Sequence, residues 1–304
     1  MPVQKFLLVV AGPTASGKTS TAIRLAQHFH SVILSADSRQ FYREMNIGTA
    51  KPTPAELAAV PHYFIDTLHI EEDYSVGAFE RDALALLEQL YREHDLVVLA
   101  GGSGLYIRAL CAGLDDFPEV PKAVRQHFEQ LHAQQGLPAL QAALQSADPV
   151  YYAQVDQQNP SRLIRALSVC EVSGQPYSSF LGRKAADRPF QPIYLTLQHE
   201  RALLYDRINR RVDQMVAEGL VEEARRLFPY QHLNALQTVG YQELFAHFEG
   251  EHSLEEAIEL IKRNTRRYAK RQLTWLRKEG HWRWFEPEEV EGMIEYIEHR
   301  RQES

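Results

Sequence analysis

The chain has 304 residues, of which 44% are hydrophobic and 24% charged, ordinary proportions for a globular protein that buries a full core. They exclude a disordered chain, a collagen-like repeat and a small disulfide-stapled fold, since Cys111 and Cys170 are the only cysteines. With a net charge of −7, binding to nucleic acid would need a local basic patch.

The cysteines and the hydropathy also bear on the compartment. Two isolated cysteines fit a reducing compartment. The apolar run at 6–11 is too short to cross a bilayer and has no cleavage pattern behind it. We therefore expect a cytoplasmic protein that does not contact a membrane.

The first 115 residues alternate strand and helix patterns. Helical spacing of apolar residues occurs at 19–29 and 75–94, and Ser75 is a predicted N-cap. Apolar runs predict buried parallel strands at 5–11, 31–36 and 96–100. The alternation predicts an α/β fold with a doubly wound parallel sheet.

The pattern changes near residue 116. Seven prolines separate helical patterns between 116 and 190, which predicts a small all-helical insertion. A further strand is predicted at 193–197, followed by long helices at about 200–228 and 253–278 and a tryptophan-rich tail. The predicted domains are a core at 1–115, the insertion at 116–190 and the rest of the core at 191–304.

A phosphate-binding loop follows the first strand. Its glycines let the backbone turn N–H groups toward an anion, the following helix adds positive charge at its N-terminus, and the threonine hydroxyl can bind Mg²⁺. The loop therefore predicts a bound di- or triphosphate of unspecified origin. It matches G-x-x-x-x-G-K-[ST] and consists of Gly12, Pro13, Thr14, Ala15, Ser16, Gly17, Lys18 and Thr19.

Two further features lie at the same predicted sheet edge. Asp37 follows the second strand, where a carboxylate can accept a proton or hold a metal-bound water; the alternative is a helix cap. The glycine-rich turn at 101–104 is either a tight turn or, as we expect, a place where a substrate approaches the backbone. No acidic residue follows the third strand, which disfavours an ordinary ATPase. Residues 53–56 have the pattern of a capping box.

A basic helix is predicted near the carboxyl end. Residues 262–278 contain eight basic and no acidic side chains, and steps of four place them in one stripe. The stripe is either a solvated face or a surface for a polyanion, where Trp275 could stack on bases. We expect Tyr268 on the inner face. A second basic cluster, 207–211, could send one arginine over the phosphate loop.

Seven motifs occur in an order that resembles the tRNA dimethylallyltransferases of the bacterial type, also called tRNA isopentenyltransferases. Ser103 stands where threonine is common, and the zinc finger of eukaryotic relatives has no counterpart. The motifs are at 12–19, 37–42, 47–52, 101–106, 161–167, 239–241 and 268–275.

This resemblance implies a reaction. A dimethylallyl group would pass from dimethylallyl diphosphate to the N6 amine of the adenosine 3′ of a tRNA anticodon, with release of diphosphate. The phosphate loop would hold the diphosphate, Mg²⁺ would bind Thr19, and Asp37 would be the general base. Lys18, Thr19 and Arg211 would neutralise the leaving group. A monomer is expected.

The resemblance also implies residues that contact the anticodon stem-loop. The basic helix would bind the stem phosphates. The assigned residues are Asp37, Ser38, Arg39, Gln40, Ser103, Ser161, Arg162, Leu163, Ile164, Arg165, Gln237, Thr238, Val239, Gly240, Tyr241, Gln242, Arg266 and Lys270.

Two other functions are compatible with the residues alone. A small-metabolite kinase would use the same loop for ATP and Asp37 as the base for a hydroxyl. A non-catalytic RNA-binding protein would use the loop only to sense a nucleotide. The first requires ATP for product formation, and the second does not need Asp37.

Overall fold

A computed structural model describes residues 4–182 and 187–303, and its chain divides into two compact units. One unit comprises 1–112 and 187–304, and the other comprises 113–186. The sequence predicts 116–190 for the insertion. Among the described residues, no helix is long and apolar enough to cross a membrane.

The first unit contains a six-stranded sheet in which every pairing is parallel. The strand order is β3-β2-β4-β1-β5-β6, and the predicted α/β class is confirmed. The sequence missed β3 and β6, because two or three residues carry no readable periodicity. The strands are β1 (Phe6–Ala11), β2 (Ile33–Ser35), β3 (His62–Tyr63), β4 (Leu96–Gly101), β5 (Gln191–Leu197) and β6 (Arg283–Phe285).

Helices cover the sheet and form the second unit. Those of the first unit are α1 (Lys18–His28), α2 (Pro54–Ala59), α3 (Val76–Leu90), α4 (Gly104–Ala112), α8 (Arg201–Ala217), α9 (Leu220–Leu227), α10 (Tyr241–Phe248), α11 (Leu254–Glu279) and α12 (Val290–Gln302). Those of the second unit are α5 (Lys122–Ala147), α6 (Pro149–Tyr152) and α7 (Pro160–Ser173).

Local signals predicted helix starts better than helix ends. The Ser75 cap and the capping box of Thr53 and Glu56 are both present. The prediction of one helix over 200–228 is wrong, because Gly219 adopts a left-handed backbone (φ +103°) that ends α8 and begins α9. No helix or strand was predicted in the tryptophan-rich tail, which contains β6 and α12.

Strand β1 is buried on both faces and fixes the sheet. Leu7 and Val9 point into one core cluster, and Leu8 and Val10 point into the other. Ala11 at its end is in register with Gly101 of β4. The loops that follow these two strands therefore start side by side at the carboxyl edge of the sheet.

The second unit has a core of its own between α5 and α7. Phe128, Leu140 and Leu144 pack against α7, where Leu163 is fully buried and Ile164 nearly so. The assignment of Leu163 and Ile164 to tRNA contact is wrong for their side chains, because these fill the core.

A buried carboxylate organises the helices around α9. Glu223 is 1% exposed and accepts hydrogen bonds from the backbone N–H groups of Asn46 (3.0 Å), Ile47 (2.9 Å) and Gly48 (2.9 Å). Tyr241 donates its hydroxyl to the same carboxylate at 2.7 Å. Four donors on one acceptor group satisfy a buried charge. The motifs at 47–52 and 239–241 thus share a structural function.

We expect Glu223→Gln to destabilise the protein. A glutamine side chain would turn its N–H₂ group either toward the Asn46 and Ile47 N–H groups or toward the Gly48 N–H and the Tyr241 hydroxyl. Leaving buried donors unsatisfied costs about 2–3 kcal/mol in the free energy of unfolding. Denaturant unfolding measures the change. Glu222→Gln is the matched control, since Glu222 is exposed in the same turn of α9 and should change stability by less than about 0.5 kcal/mol. Equal effects of both substitutions would contradict this interpretation.

Candidate active site

Four strands deliver functional groups to one edge of the sheet. The phosphate loop follows β1, Asp37 follows β2, Gly102 and Ser103 follow β4, and His199 follows β5. The chain passes from β1 to β2 across β4, so the strand order reverses beside β1. Open parallel sheets bind ligands at such a crevice.

The phosphate loop curls into the N-terminus of α1. Gly17 (φ +91°) and Ala15 (φ +63°) both adopt left-handed backbone conformations, and left-handed alanine costs about 1–2 kcal/mol. Lys18 folds back, and its Nζ donates to the Pro13 carbonyl at 2.7 Å. Burial lowers the pKa of Lys18 to about 8, while the nearby Asp37 carboxylate opposes this shift. A bound anion would favour the charged ammonium.

Three side chains from distant helices and loops hold the phosphate loop. Gln272 Oε1 accepts the Thr14 N–H at 2.9 Å. Arg207 Nε donates to the Ala15 carbonyl at 2.8 Å. A ring nitrogen of His199 lies 2.9 Å from the Ser16 carbonyl oxygen. Neither Gln272 nor His199 was predicted as a site residue: Gln272 lies within the 268–275 motif without a function assigned to it, and His199 lies in no motif.

Asp37 lies in a turn, not at a helix start. Its Oδ1 accepts the Arg39 N–H at 3.1 Å, and residues 38–41 form turns, so the helix-cap alternative is wrong. Lys18 and Arg211 both interact electrostatically with this carboxylate. Asp37 therefore lies between two cations that can bind an anion.

Arg211 is the member of the 207–211 cluster that faces this carboxylate. Its Nη2 donates to the Ala50 carbonyl at 3.5 Å. Burial lowers the pKa of Arg211, and Asp37 opposes the shift. Arg210, its neighbour, has a side chain that is 79% exposed and pairs with Asp206 at 2.8 Å.

A cavity joins these charged groups to an apolar wall. Lys18, Thr19, Asp37 and Arg211 form its charged end. The apolar wall comes from α8, α9, α11 and the loop before α10, and consists of Ile208, Val212, Met215, Leu220, Val239 and Ile261. A second cavity shares Ala15, Lys18, Thr19, Ala50, Arg211 and Met215 with the first. The cationic residues Lys18 and Arg211 therefore line both cavities.

Several residues assigned to tRNA line or border the first cavity. Arg39 and Gln40 line it; Arg39 Nη1 also donates to the Asn234 carbonyl at 3.0 Å. Ser103 Oγ accepts the Ser38 N–H at 3.1 Å beside it. Thr238, Val239 and Gly240 line the cavity, and Gln237 and Gln242 are hydrogen-bonded to each other at 2.7 Å on the outside.

Like the side chains of Leu163 and Ile164, one further side chain of that set cannot contact tRNA. Tyr241 is fully buried and bonded to Glu223, so its assignment is wrong. Ser161, Arg162 and Arg165 belong to α7 of the second unit. Arg165 lies over the Phe117 ring in that unit, 5.4 Å from its centroid.

The glycine-rich turn serves packing within the protein. A Cβ atom on Gly101 would lie 2.3 Å from the Ala36 carbonyl oxygen, and one on Gly102 would lie 2.3 Å from Gln272 Nε2. On Gly104 it would lie 2.5 Å from the Trp275 ring. Contacts with Ala36, which follows β2, and with α11 are enough to require these glycines, so the tight-turn alternative accounts for them, and the expectation that a substrate approaches here stays a prediction.

Within the described part of the chain, Lys262 is the member of the basic stripe on α11 that pairs with acidic side chains. Lys262 pairs with Asp213 (2.7 Å) and Glu259 (3.0 Å), and Arg266 Nη1 donates to Asn209 Oδ1 at 2.5 Å. Tyr268 lines the cavity together with Ile261, as its predicted inner position requires, and is 37% exposed there. The exposed members are Arg263, Arg267, Lys270, Arg271, Arg277 and Lys278.

Comparison with known proteins gives consistent results. The family model described as IPP transferase matches residues 40–279. A tRNA dimethylallyltransferase of Christiangramia forsetii is 51% identical over 297 residues, which cover 97% of this chain and 98% of the relative. The crystal structure of a full-length tRNA isopentenylpyrophosphate transferase from Bacillus halodurans is 36% identical, with a TM-score of 0.74 and coverage of 99% and 98%.

A third comparison concerns the fold. The crystal structure of a eukaryotic dimethylallyltransferase acting on tRNA is 23% identical, with a TM-score of 0.79, and the match covers 95% of this chain and 75% of that one. The family model spans most of the chain and the bacterial relatives match nearly all of it. The chain belongs to the IPP transferase family.

Proposed function

We propose that this enzyme transfers a dimethylallyl group from dimethylallyl diphosphate to the N6 amine of the adenosine 3′ of the anticodon in tRNA, releasing diphosphate. The observation that carries the proposal is one cavity in which Lys18, Thr19 and Arg211 surround Asp37 beside an apolar wall. A prenyl diphosphate has the same division into a polyanionic end and a hydrocarbon end.

The donor would bind with its diphosphate on the phosphate loop. Backbone N–H groups at the start of α1, Lys18 and Arg211 supply positive charge at that end. The five-carbon group would contact the apolar wall formed by residues such as Val212 and Met215. A nucleotide would place a polar ribose and base where this wall is, and this favours the prenyl donor over ATP.

Magnesium fits the donor set at this end. The Thr19 hydroxyl is a hard oxygen ligand, and it lines two cavities together with Asp37, whose carboxylate is assigned to proton transfer. The described residues contain no cluster of three or more His, Cys, Asp or Glu side chains that could hold a metal alone. Substrate phosphate and water would complete the coordination, as is usual for Mg²⁺, and the ion would neutralise diphosphate charge.

The transfer step forms one bond, breaks one bond and moves one proton. The adenosine N6 attacks C1 of the donor, the C1–O bond breaks with its electron pair going to diphosphate, and Asp37 takes the proton from N6. Lys18, Thr19 and Arg211 stabilise the charge that develops on the leaving oxygen.

The acceptor is tRNA, as the names of the relatives state. The exposed basic residues of α11 provide a surface for phosphates on a protein whose net charge is −7. The adenosine would leave its stack to enter the cavity past Arg39 and Gln40. The expected cytoplasmic location and monomeric state stay predictions.

Labelled dimethylallyl diphosphate and unmodified tRNA test the proposal directly. We expect label in tRNA in the absence of ATP, on the adenosine next to the anticodon, measured by nucleoside analysis after digestion. A tRNA whose adenosine at that position is replaced by guanosine is the matched control and should stay unlabelled. Product that forms only with ATP would overturn the proposal in favour of the kinase.

Asp37→Asn should lower kcat by about 10²–10⁴-fold, because the amide cannot accept the N6 proton. The affinity for tRNA, measured by filter binding, should change less than threefold. Asp95→Asn serves as the control, since Asp95 pairs with Lys5 before β4, at the opposite edge of the sheet. Unchanged kcat in Asp37→Asn would support the non-catalytic RNA-binding alternative.

Arg211→Gln and Arg210→Gln form a second matched pair on α8. We expect Arg211→Gln to lower kcat/KM for dimethylallyl diphosphate by about 10²-fold, a loss of about 2.7 kcal/mol of charge stabilisation. Arg210→Gln should change it less than twofold, because Arg210 is exposed, pairs with Asp206 and lines only the second cavity, not the one that contains Asp37. Similar kinetics for the two variants would show that the leaving group is neutralised elsewhere.

A further inference from the structure

Gln272 connects two loops that are far apart in sequence. Its Oε1 accepts the Thr14 N–H of the phosphate loop, and its Nε2 donates to the Gly102 carbonyl after β4, both at 2.9 Å. The residue is 7% exposed, within α11. A carboxamide accepts on one atom and donates on the other, so this residue type satisfies both loops at once.

The loop that Gln272 holds is strained. Ala15 directly follows Thr14 and has a left-handed backbone (φ +63°), a conformation that persists only where the surroundings determine it. Gln272 holds the N–H of Thr14, the residue before Ala15, and Arg207 holds the carbonyl of Ala15 itself at 2.8 Å. Loss of either bond would let the loop relax away from the shape that turns its N–H groups inward.

We propose that Gln272 is a positioning residue for the donor, which holds the phosphate loop in the conformation that binds diphosphate. The inference rests on the proposed function and adds a residue to it. Gln272 also links the loop to α11, the helix whose outer face carries Lys270 and Arg271. The donor site is thereby built against the helix that faces tRNA.

Gly102 provides a way to move Gln272 without replacing it. A Cβ atom at Gly102 would lie 2.3 Å from Gln272 Nε2, whereas its next contacts, at 3.5 and 3.6 Å, are ordinary. No positive φ stands in the way of alanine there. Gly102→Ala should therefore displace the Gln272 amide, and removal of that amide should relieve the clash.

The experiment is a double-mutant cycle with Gln272→Ala, Gly102→Ala and the double variant. Calorimetric titration with inorganic diphosphate and Mg²⁺ measures donor-site affinity. We expect each single substitution to raise Kd at least tenfold, about 1.4 kcal/mol, and the double variant to bind no worse than Gln272→Ala. The KM for dimethylallyl diphosphate should rise accordingly, with the KM for tRNA within twofold.

Two further variants distinguish the loss of the Gln272 hydrogen bonds from a general disturbance of the fold or of α11. Gln272→Met preserves volume but makes neither bond, and should match Gln272→Ala even if the smaller side chain destabilises the fold. Gly104→Ala is the control, because its Cβ would meet the Trp275 ring of the same helix at 2.5 Å; Gln272→Ala should not relieve it.

The contrary outcomes separate the two proposals. A wild-type protein that does not bind diphosphate contradicts the proposed function. Wild-type binding with unchanged Kd in Gln272→Met contradicts the positioning function of Gln272. A parallel rise in the KM of both substrates would also overturn it, because that pattern is expected of a purely structural residue.

Discussion

The phosphate loop depends on hydrogen bonds from residues nearly the whole chain length away. Its left-handed alanine and inward-turned N–H groups are not a conformation that eight residues adopt alone. Gln272 from α11 holds Thr14, and Arg207 from α8 holds Ala15. The first strand can present an anion site only after the last third of the chain has packed against it, so donor binding is a property of the complete core.

Buried charge is handled in two ways in this protein. Glu223 is satisfied by four neutral donors and organises the 46–48 segment. Asp37 has the cations Lys18 and Arg211 near it, and burial lowers the pKa of both. The first arrangement is complete without a ligand and gives stability. The second leaves positive charge that is costly to bury, and a polyanion would relieve that cost.

The sequence predicted those features that are local. Apolar runs and caps gave the parallel core, and the G-x-x-x-x-G-K-[ST] spacing located the phosphate loop. The same reasoning failed where a residue's partner is distant. Gly101, Gly102 and Gly104 were expected to admit a substrate, with a tight turn as the alternative, and they make room for Ala36, Gln272 and Trp275. Tyr241 was assigned to tRNA by resemblance, and no local pattern predicts its hydrogen bond to Glu223. The local spacing of residue types along one sequence contains no information on such long-range pairs.

Two cavities are lined by the same residues of the charged end, such as Ala50 and Arg211. Under the proposed function, a bulky polymer seated over the first cavity would leave the second uncovered. A small anion could then still reach Lys18 and Arg211 while the polymer is in place.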